Sequence, residues 1–324
     1  MTIEILMVIG FCLAAYSIVG NDVPQTLGTF LSSNSHRPWW ILWIFISSIL
    51  VVVLMYGWYA SGVGDASYGR LETIPFPEGG ITWLYIVPPI LLLFLTKYGI
   101  PVSTTFLVLT IFSPSSLGSM MVKSMMGYAV AFITALIIYR FVANKMTVYF
   151  NQTKDQEHST KWVVLQWLST AFLWSQWLIQ DLANIFVYVP RQVPFEFLMF
   201  AIAVFVVLLG IILYQRGGAI QKIVDTKTDV NDVRAATIVD FIYAIILLIF
   251  KEWSNIPMST TWVFLGLLAG REFAISMLIQ TVGKRRTSRN VSKDAMKLMF
   301  GLALSVILAT TLPWFYDTVT ALAS

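Results

Sequence analysis

Long apolar runs without charged residues dominate the hydrophobic pattern of this chain. The runs 39–60, 162–180, 197–215 and 298–316 contain no Asp, Glu, Lys or Arg. A helix that spans a bilayer needs roughly 20 consecutive, mostly apolar residues, so runs of this length are suited to crossing a membrane. The pattern therefore predicts an all-α polytopic membrane protein.

A short motif occurs once in each half of the chain. KYGIPVSTTF at 97–106 aligns with WSNIPMSTTW at 253–262, and Ile, Pro, Ser, Thr and Thr are identical in place. A second pair precedes it, because Asn21-Asp22-Val23 matches Gln180-Asp181-Leu182 at a similar distance from the motif. Two paired motifs at matching spacing indicate an internal repeat.

The most polar interior stretch, NQTKDQEHSTK, ends at Lys161 and lies between the two halves. We therefore divide the chain into a first repeat, 1–145, a cytoplasmic linker, 146–161, and a second repeat, 162–324. Each repeat is expected to contain about three crossing helices and one re-entrant hairpin. Since an odd number of crossings separates them, the two repeats should have inverted topology.

The PxSTT element is predicted to form the tip of each re-entrant hairpin. Pro101 removes a backbone donor and Gly99 tolerates a bend, and the apolar runs on either side of Pro101 are short. Short, interrupted hydrophobic segments at matching positions of two halves are typical of transporter binding sites. We place the hairpins at 81–113 and 236–282.

The remaining apolar segments set the crossings and their orientation. Crossing helices are predicted at about 3–20, 39–60 and 117–141 in the first repeat and about 162–188, 196–215 and 297–317 in the second. Basic loops lie on the cytoplasmic side of membrane proteins, and the loop 284–297 is strongly basic. Counting back from it puts loop 61–80, which is acidic, outside, and both termini are then external.

Composition narrows the function classes. The net charge is +4 and only 12% of residues are charged; because the positive charge lies in loops, no nucleic acid partner is expected. The single cysteine, Cys12, excludes an intrachain disulfide. No HExxH, GxSxG, P-loop or CxxC motif is present, so we expect neither an enzyme nor a bound cofactor.

Two aspartates are the candidate cation ligands. An isolated carboxylate at membrane depth is costly and usually belongs to a transport pathway or binds a cation, although each aspartate could instead cap a helix. Their amide neighbours add oxygen atoms of the kind that hard cations prefer. The candidate cation-binding residues are Asn21, Asp22, Gln25, Gln180, Asp181 and Asn184, with Na⁺ at Asp22 and Asp181; protonation of the two aspartates would serve equally well.

The hydroxyl groups of the PxSTT elements are the candidate anion ligands. Hydroxyl and backbone N–H groups at the start of a helix form an anion site, although a purely capping role is the alternative. The candidate anion-binding residues are Ser103, Thr104, Thr105, Ser259, Thr260 and Thr261.

Charge balance predicts coupling between the two ligands. Each helix end contributes about half a positive charge, which offsets only part of the charge of two carboxylates and a divalent oxyanion. An anion should therefore bind well only when cations occupy the carboxylates, and that is symport.

These residues carry a resemblance to a known family. Gly20-Asn21-Asp22-Val23, followed by Gly28-Thr29, and the two PxSTT elements resemble the signatures of the inorganic phosphate transporter family, which includes sodium–phosphate symporters and related bacterial sulfate permeases. The sequence departs from the family pattern at Phe106 and Trp262, which stand where the family has a histidine after STT, and at Gln25, which stands where it has Asn.

The resemblance implies an inverted-repeat fold with a midplane site for phosphate at the STT tips and Na⁺ at the aspartates. It implies a secondary active transporter that carries inorganic phosphate by Na⁺-coupled symport, with Na⁺ as coupling ion and no other cofactor. We expect an integral protein of the bacterial plasma (inner) membrane. A sulfate or related oxyanion permease, an anion channel, a transport-incompetent receptor and a homodimer stay open.

Overall fold

Helices form all the regular secondary structure that the computed structural model describes. The described residues are 2–98, 100, 102–153, 159–218, 220–222, 232–278 and 284–323. Their helices are α1 (Thr2–Ser33), α2 (Trp39–Ala60), α3 (Trp83–Lys97), α4 (Thr104–Phe112), α5 (Leu117–Gln152), α6 (Thr160–Asp181), α7 (Ala183–Phe186), α8 (Phe195–Tyr214), α9 (Val233–Trp253), α10 (Thr260–Leu278) and α11 (Lys284–Ala323). The all-α prediction is confirmed.

Six helical segments in the described ranges are long and apolar enough to cross a membrane. They are Ile5–Ser33, Trp39–Ala60, Pro114–Phe141, Phe195–Tyr214, Val233–Trp253 and Val291–Phe315. Together they confirm the prediction of a polytopic membrane protein. The inverted relation of the two repeats stays a prediction.

Helix α6 is not among these six segments. Its 22 residues are long enough to span a bilayer, but it is less apolar than the six. The reason is a set of polar side chains that α6 turns into the protein interior. The buried ones are Gln166, Ser169, Thr170, Gln176, Gln180 and Asp181.

Helix α1 continues well beyond the predicted end of the first crossing at about residue 20. It includes Asp22 and Pro24 and ends at Ser33. Beyond Asp22 the apolar side chains of Val23, Leu27 and Phe30 are fully buried. The polar residues Asn21, Asp22 and Gln25 suggested the end of a helix in the sequence. In the structure they lie within α1, which continues past them.

The two predicted hairpins differ in the length of their arms. Helices α3 and α4 have 15 and 9 residues, too short to span a bilayer at about 1.5 Å per residue, as expected of a re-entrant element. Helix α9 has 21 residues and is of spanning length. Gly99 and Pro101 of the first hairpin and residues 279–282 of the second lie outside the described residues.

Two long helices include residues that the sequence predicts to lie outside helices or at the end of a repeat. Helix α5 runs to Gln152, through the predicted end of the first repeat at residue 145. Helix α11 begins at Lys284, so the basic segment 284–297, predicted to be a loop, is helical. That segment contains neither Gly nor Pro, the residues that most disfavour a helix.

Small residues let helices of the two predicted repeats approach closely. Helix α10 packs along α5, and a Cβ at Gly270 would collide with the backbone oxygen of Phe132. A Cβ at Gly266 would collide with the backbone oxygen of Tyr128. Close backbone approach at small residues is the usual way in which membrane helices associate. This contact brings the second PxSTT element against the first repeat.

Candidate functional site

The two PxSTT elements meet in the core of the protein. We call Val102–Thr105 the first tip and Met258–Thr261 the second tip. Ser103 Oγ accepts a hydrogen bond from the Phe106 amide at 3.3 Å, and Ser259 Oγ accepts one from the Trp262 amide at 3.4 Å. Each serine therefore caps the helix that follows its tip, so the capping role is part of the geometry.

Reciprocal hydrogen bonds join the two tips. Thr105 Oγ1 donates to the Met258 carbonyl at 3.2 Å, and Thr261 Oγ1 donates to the Val102 carbonyl at 3.5 Å. Val102 and Met258 hold the same place in the two motifs, as do the two threonines. An exchange of equivalent contacts is the pattern expected of two copies related by a twofold axis. The tips thus form a single hydroxyl-rich centre.

Asp22 lies against the first tip. Thr104 Oγ1 donates to Asp22 Oδ2 at 2.8 Å, and Asn21 Nδ2 donates to Asp22 Oδ1 at 2.6 Å. Asn21 Nδ2 also donates to the Val102 carbonyl at 3.0 Å. Helix α1 and the first tip are therefore joined through the aspartate and its neighbouring amide.

Asp181 reaches the same centre from helix α6. Asn184 Nδ2 donates to Asp181 Oδ1 at 2.8 Å and lies 3.2 Å from the hydroxyls of both Thr104 and Thr105. Since Thr104 also donates to Asp22, one continuous set of hydrogen bonds runs between the two aspartates. The structure brings together the acids and tips that the sequence singled out separately.

Four buried oxygen atoms of the predicted cation-binding residues have no hydrogen-bond partner in the protein, and two of them, on Asp181 and Asn184, belong to the hydrogen-bonded centre. The four atoms are Gln25 Oε1, Gln180 Oε1, Asp181 Oδ2 and Asn184 Oδ1. A buried acceptor without a partner costs roughly 1–3 kcal/mol, and all four belong to predicted cation-binding residues. Carboxylate and amide oxygens are ligands that hard cations prefer, so the donor set fits Na⁺.

The aspartates lie without basic neighbours at ion-pair distance. Asp22 is 2% exposed and Asp181 is fully buried. Among the described residues, no Lys or Arg forms an ion pair with either of them. Hydroxyl and amide dipoles and the amino ends of α4 and α10 surround the two acids instead. Ionised carboxylates in such a place favour a bound positive ion.

A third buried aspartate was not predicted from the sequence. Asp240 on α9 is 1% exposed and accepts hydrogen bonds from Thr29 Oγ1 and, at 2.6 Å, from Thr170 Oγ1. It has no counterpart in the first half, where the aligned run is apolar, so the repeat did not reveal it. An acid inside an otherwise apolar spanning segment was the available signal.

Tyr243, one turn further along α9, was also missed. Its hydroxyl donates to the Thr260 carbonyl at 2.9 Å and holds the second tip. A tyrosine in an apolar helix is common in membrane proteins, so nothing in the sequence marked it.

A cavity of about 360 Å³ leads toward the first tip. Its lining includes Gly20, Thr96, Lys97 and Gln215. Thr96 Oγ1 lies 3.5 Å from Asn21 Oδ1, so the cavity ends one side chain away from the Asp22 group. A ligand could approach the centre along this route.

These features define the class: a polytopic membrane protein with two apposed hydroxyl-rich tips beside a buried acid pair. A search of solved structures finds a sodium-dependent phosphate transporter with a TM-score of 0.60 and 15% sequence identity, aligned over 98% of this chain and 100% of that chain. No family model and no curated protein matches the sequence. The likeness confirms the resemblance to the phosphate transporter family at the level of the fold.

Proposed function

We propose that this protein is a secondary active transporter that carries inorganic phosphate across the membrane together with Na⁺. The observation that carries the proposal is the buried pair Asp22 and Asp181, hydrogen-bonded to the joined tips directly or through Asn184, with Asp181 Oδ2 and Asn184 Oδ1 left without a partner in the protein. Cation ligands and anion donors lie within one hydrogen-bonded group, so each ligand lowers the electrostatic cost of binding the other. The protein acts as a carrier and not as an enzyme.

In this proposal the binding order follows from charge. Asp22 and Asp181 repel an oxyanion until positive charge is present, so Na⁺ binds first, among Asp181 Oδ2 and the amide oxygens. The hydroxyls of both tips and the amino ends of α4 and α10 then bind phosphate. Cations and anion move together because neither is well bound alone.

A carboxylate beside the tips favours phosphate over sulfate. Phosphate at neutral pH keeps a proton that needs a hydrogen-bond acceptor, whereas sulfate has none. The carboxylate of Asp22 supplies that acceptor at the centre, because each of its oxygens accepts one hydrogen bond in the protein and keeps a second lone pair. A sulfate bound there would face the same carboxylates without a proton to donate. We therefore place phosphate ahead of sulfate as the substrate.

Alternating access in this proposal uses the two predicted inverted repeats. The cavity at Thr96 and Lys97 opens toward Gln215, at the end of α8 that is predicted to be cytoplasmic. Movement of one repeat against the other would close this route and open its counterpart outside. Both termini are external in this arrangement, and the expected location is the bacterial plasma membrane.

The test is uptake of radiolabelled phosphate into proteoliposomes that contain the purified full chain. We expect saturable uptake that is driven by an inward Na⁺ gradient and is inhibited weakly by excess sulfate. Uptake at the same rate with K⁺ in place of Na⁺ would argue against Na⁺ coupling. A proton gradient imposed without Na⁺ then tests whether protons are the coupling ion. Sulfate uptake that exceeds phosphate uptake would assign the protein to the sulfate permeases, and non-saturable flux would indicate a channel.

A further inference from the structure

Two basic side chains are buried together beside the second tip. Arg70, in the segment between α2 and α3, is 1% exposed, and Lys123, on α5, is 4% exposed. Lys123 Nζ donates to the carbonyls of Ser254 and Ile256 at 2.7 Å each. Arg70 Nη1 donates to the same two carbonyls at 3.2 and 3.3 Å. The two positive groups thus converge on one short stretch of backbone.

The Arg70–Lys123 pair has no acid in direct contact. Sharing an oxygen keeps the two charges within about 6 Å of each other, where like charges repel in a poorly hydrated site. Among the described residues, no carboxylate lies within ion-pair distance of either group. Neutral carbonyls accept their hydrogen bonds, and only the more distant charges of Asp181 and Glu252 offset the charge of Arg70. A buried positive pair of this kind attracts a negative partner.

Arg70 also keeps one donor nitrogen without a partner. Its Nη2 is buried and makes no hydrogen bond in the protein. Burial lowers the pKa of Arg70 to about 10, partly offset by the field of Asp181, so the guanidinium is still charged at neutral pH.

The segment that carries Arg70 is held in place by local contacts. Asp65 accepts hydrogen bonds from the amides of Ser67 and Gly69, each at 2.7 Å. The Tyr68 hydroxyl donates to the Val53 carbonyl at 2.6 Å, and its ring lies over Gly57. Arg70 is therefore presented by a fixed loop. Beside Lys123, a cavity of about 310 Å³ is lined by Trp253, Ser254 and Ile256 as well.

We infer that Arg70 and Lys123 form a second binding site for a phosphate-class oxyanion, on the external approach to the second tip. The inference rests on the proposed function, because the anion bound here is the one that passes on to Ser259–Thr261. An oxyanion offers these donors charged oxygens in place of the carbonyls of Ser254 and Ile256. Its arrival releases that backbone and frees the second tip to move.

Equilibrium binding of labelled inorganic phosphate to the purified full chain tests the site without transport. We expect weak binding in the absence of Na⁺ that persists in Asp181→Asn and falls roughly tenfold in Lys123→Gln or Arg70→Gln. The matched control is Lys251→Gln, since Lys251 lies in the last turn of α9, just before Ser254 in the chain, and is paired with Glu252. No Na⁺-independent binding, or binding that Lys123→Gln leaves unchanged, would overturn the inference.

Uptake kinetics provide a second readout. The external KM for phosphate should rise roughly tenfold in Lys123→Gln while kcat stays within about twofold, and Lys123→Arg and Arg70→Lys should restore the wild-type KM because they keep the charge. A fall in kcat at unchanged KM would show that the pair only holds the second tip, and would overturn the site. If the wild type takes up no phosphate, the proposed function fails, while the binding experiment still decides this inference.

A lipid headgroup is the other source of a phosphate group. Comparing vesicles of phosphatidylcholine alone with vesicles that also contain phosphatidylglycerol separates the two. We expect the effect of Lys123→Gln on KM to be equal in both. An effect confined to phosphatidylglycerol vesicles would assign the pair to lipid and overturn the role in substrate binding.

Discussion

At the scale of single residues, Thr104 links the acidic groups of the two halves. It donates its hydroxyl proton to Asp22 and lies within hydrogen-bond distance of Asn184, which in turn donates to Asp181. A change at one carboxylate therefore alters the hydrogen bonds available at the other. In the proposed function this coupling makes occupation of the two acids interdependent.

Replacing Asp181 by Asn removes a negative charge with little change of shape. We expect Na⁺-driven phosphate uptake to fall at least tenfold, because the oxygen that lacks a partner in the protein is lost as a cation ligand. The measurement is uptake in proteoliposomes with and without a Na⁺ gradient. Glu196→Gln on the exposed start of α8 is the matched control and should transport normally; equal rates in both variants would exclude Asp181 from the site.

Replacing Thr104 by Val keeps the shape of the side chain but removes its hydroxyl. Buried partners on Asp22 and Asn184 would then be left unsatisfied, and we expect a loss of about 2 kcal/mol in stability. Thermal unfolding in detergent measures the change, and Thr104→Ser should retain most of the stability. A Val variant as stable as wild type would mean that these contacts contribute little.

At the scale of elements, the polar face of each helix explains why some boundaries were predicted and others were not. The start of α2 at Trp39 and the short arms α3 and α4 follow directly from hydrophobic runs and prolines. The end of α1 does not, because its buried polar residues resemble a loop in the sequence. Asp240 was not predicted from the sequence because it has no equivalent aspartate in the first half. Asp22 and Asp181 were recognised because each is the counterpart of the other.

The packing of α10 on α5 depends on glycine, and Gly270→Ala should disturb it. The new Cβ would collide with the Phe132 carbonyl, and forcing the helices apart costs about 1–3 kcal/mol. We expect a lower thermal midpoint and slower uptake. Gly118→Ala on α5 is the control, because a Cβ there meets nothing within 4 Å; similar effects of both substitutions would contradict the packing argument.

At the scale of the whole molecule, the sequence predicted which motifs belong together but not how they touch. The paired tips and acids were recognisable because they are repeated. The exchange of hydrogen bonds between Thr105 and Met258, and the contact of Arg70 with Ser254, join residues far apart in the chain. Periodicity within a single sequence carries no information on such contacts, so they had to come from the structure.

The predicted membrane topology can be tested by labelling cysteines from one side of the membrane. In a Cys12→Ala background, cysteine at Gly79 should react with an impermeant maleimide in intact cells, because 61–80 is predicted to be external. Cysteine at Lys161 should react only after permeabilisation, because the linker is predicted to be cytoplasmic. Both positions are exposed. Labelling of both from one side would refute the proposed topology.

The polarity of α6 has a consequence for how the protein is made. A segment with this many polar side chains gains little by entering lipid on its own, yet α6 carries Gln180 and Asp181 to the centre of the protein. Its insertion during synthesis is therefore expected to depend on neighbours that shelter those groups. Helix α9, whose Asp240 accepts a hydrogen bond from Thr170 on α6, emerges from the ribosome only afterwards. We therefore expect α6 to enter the bilayer together with α9.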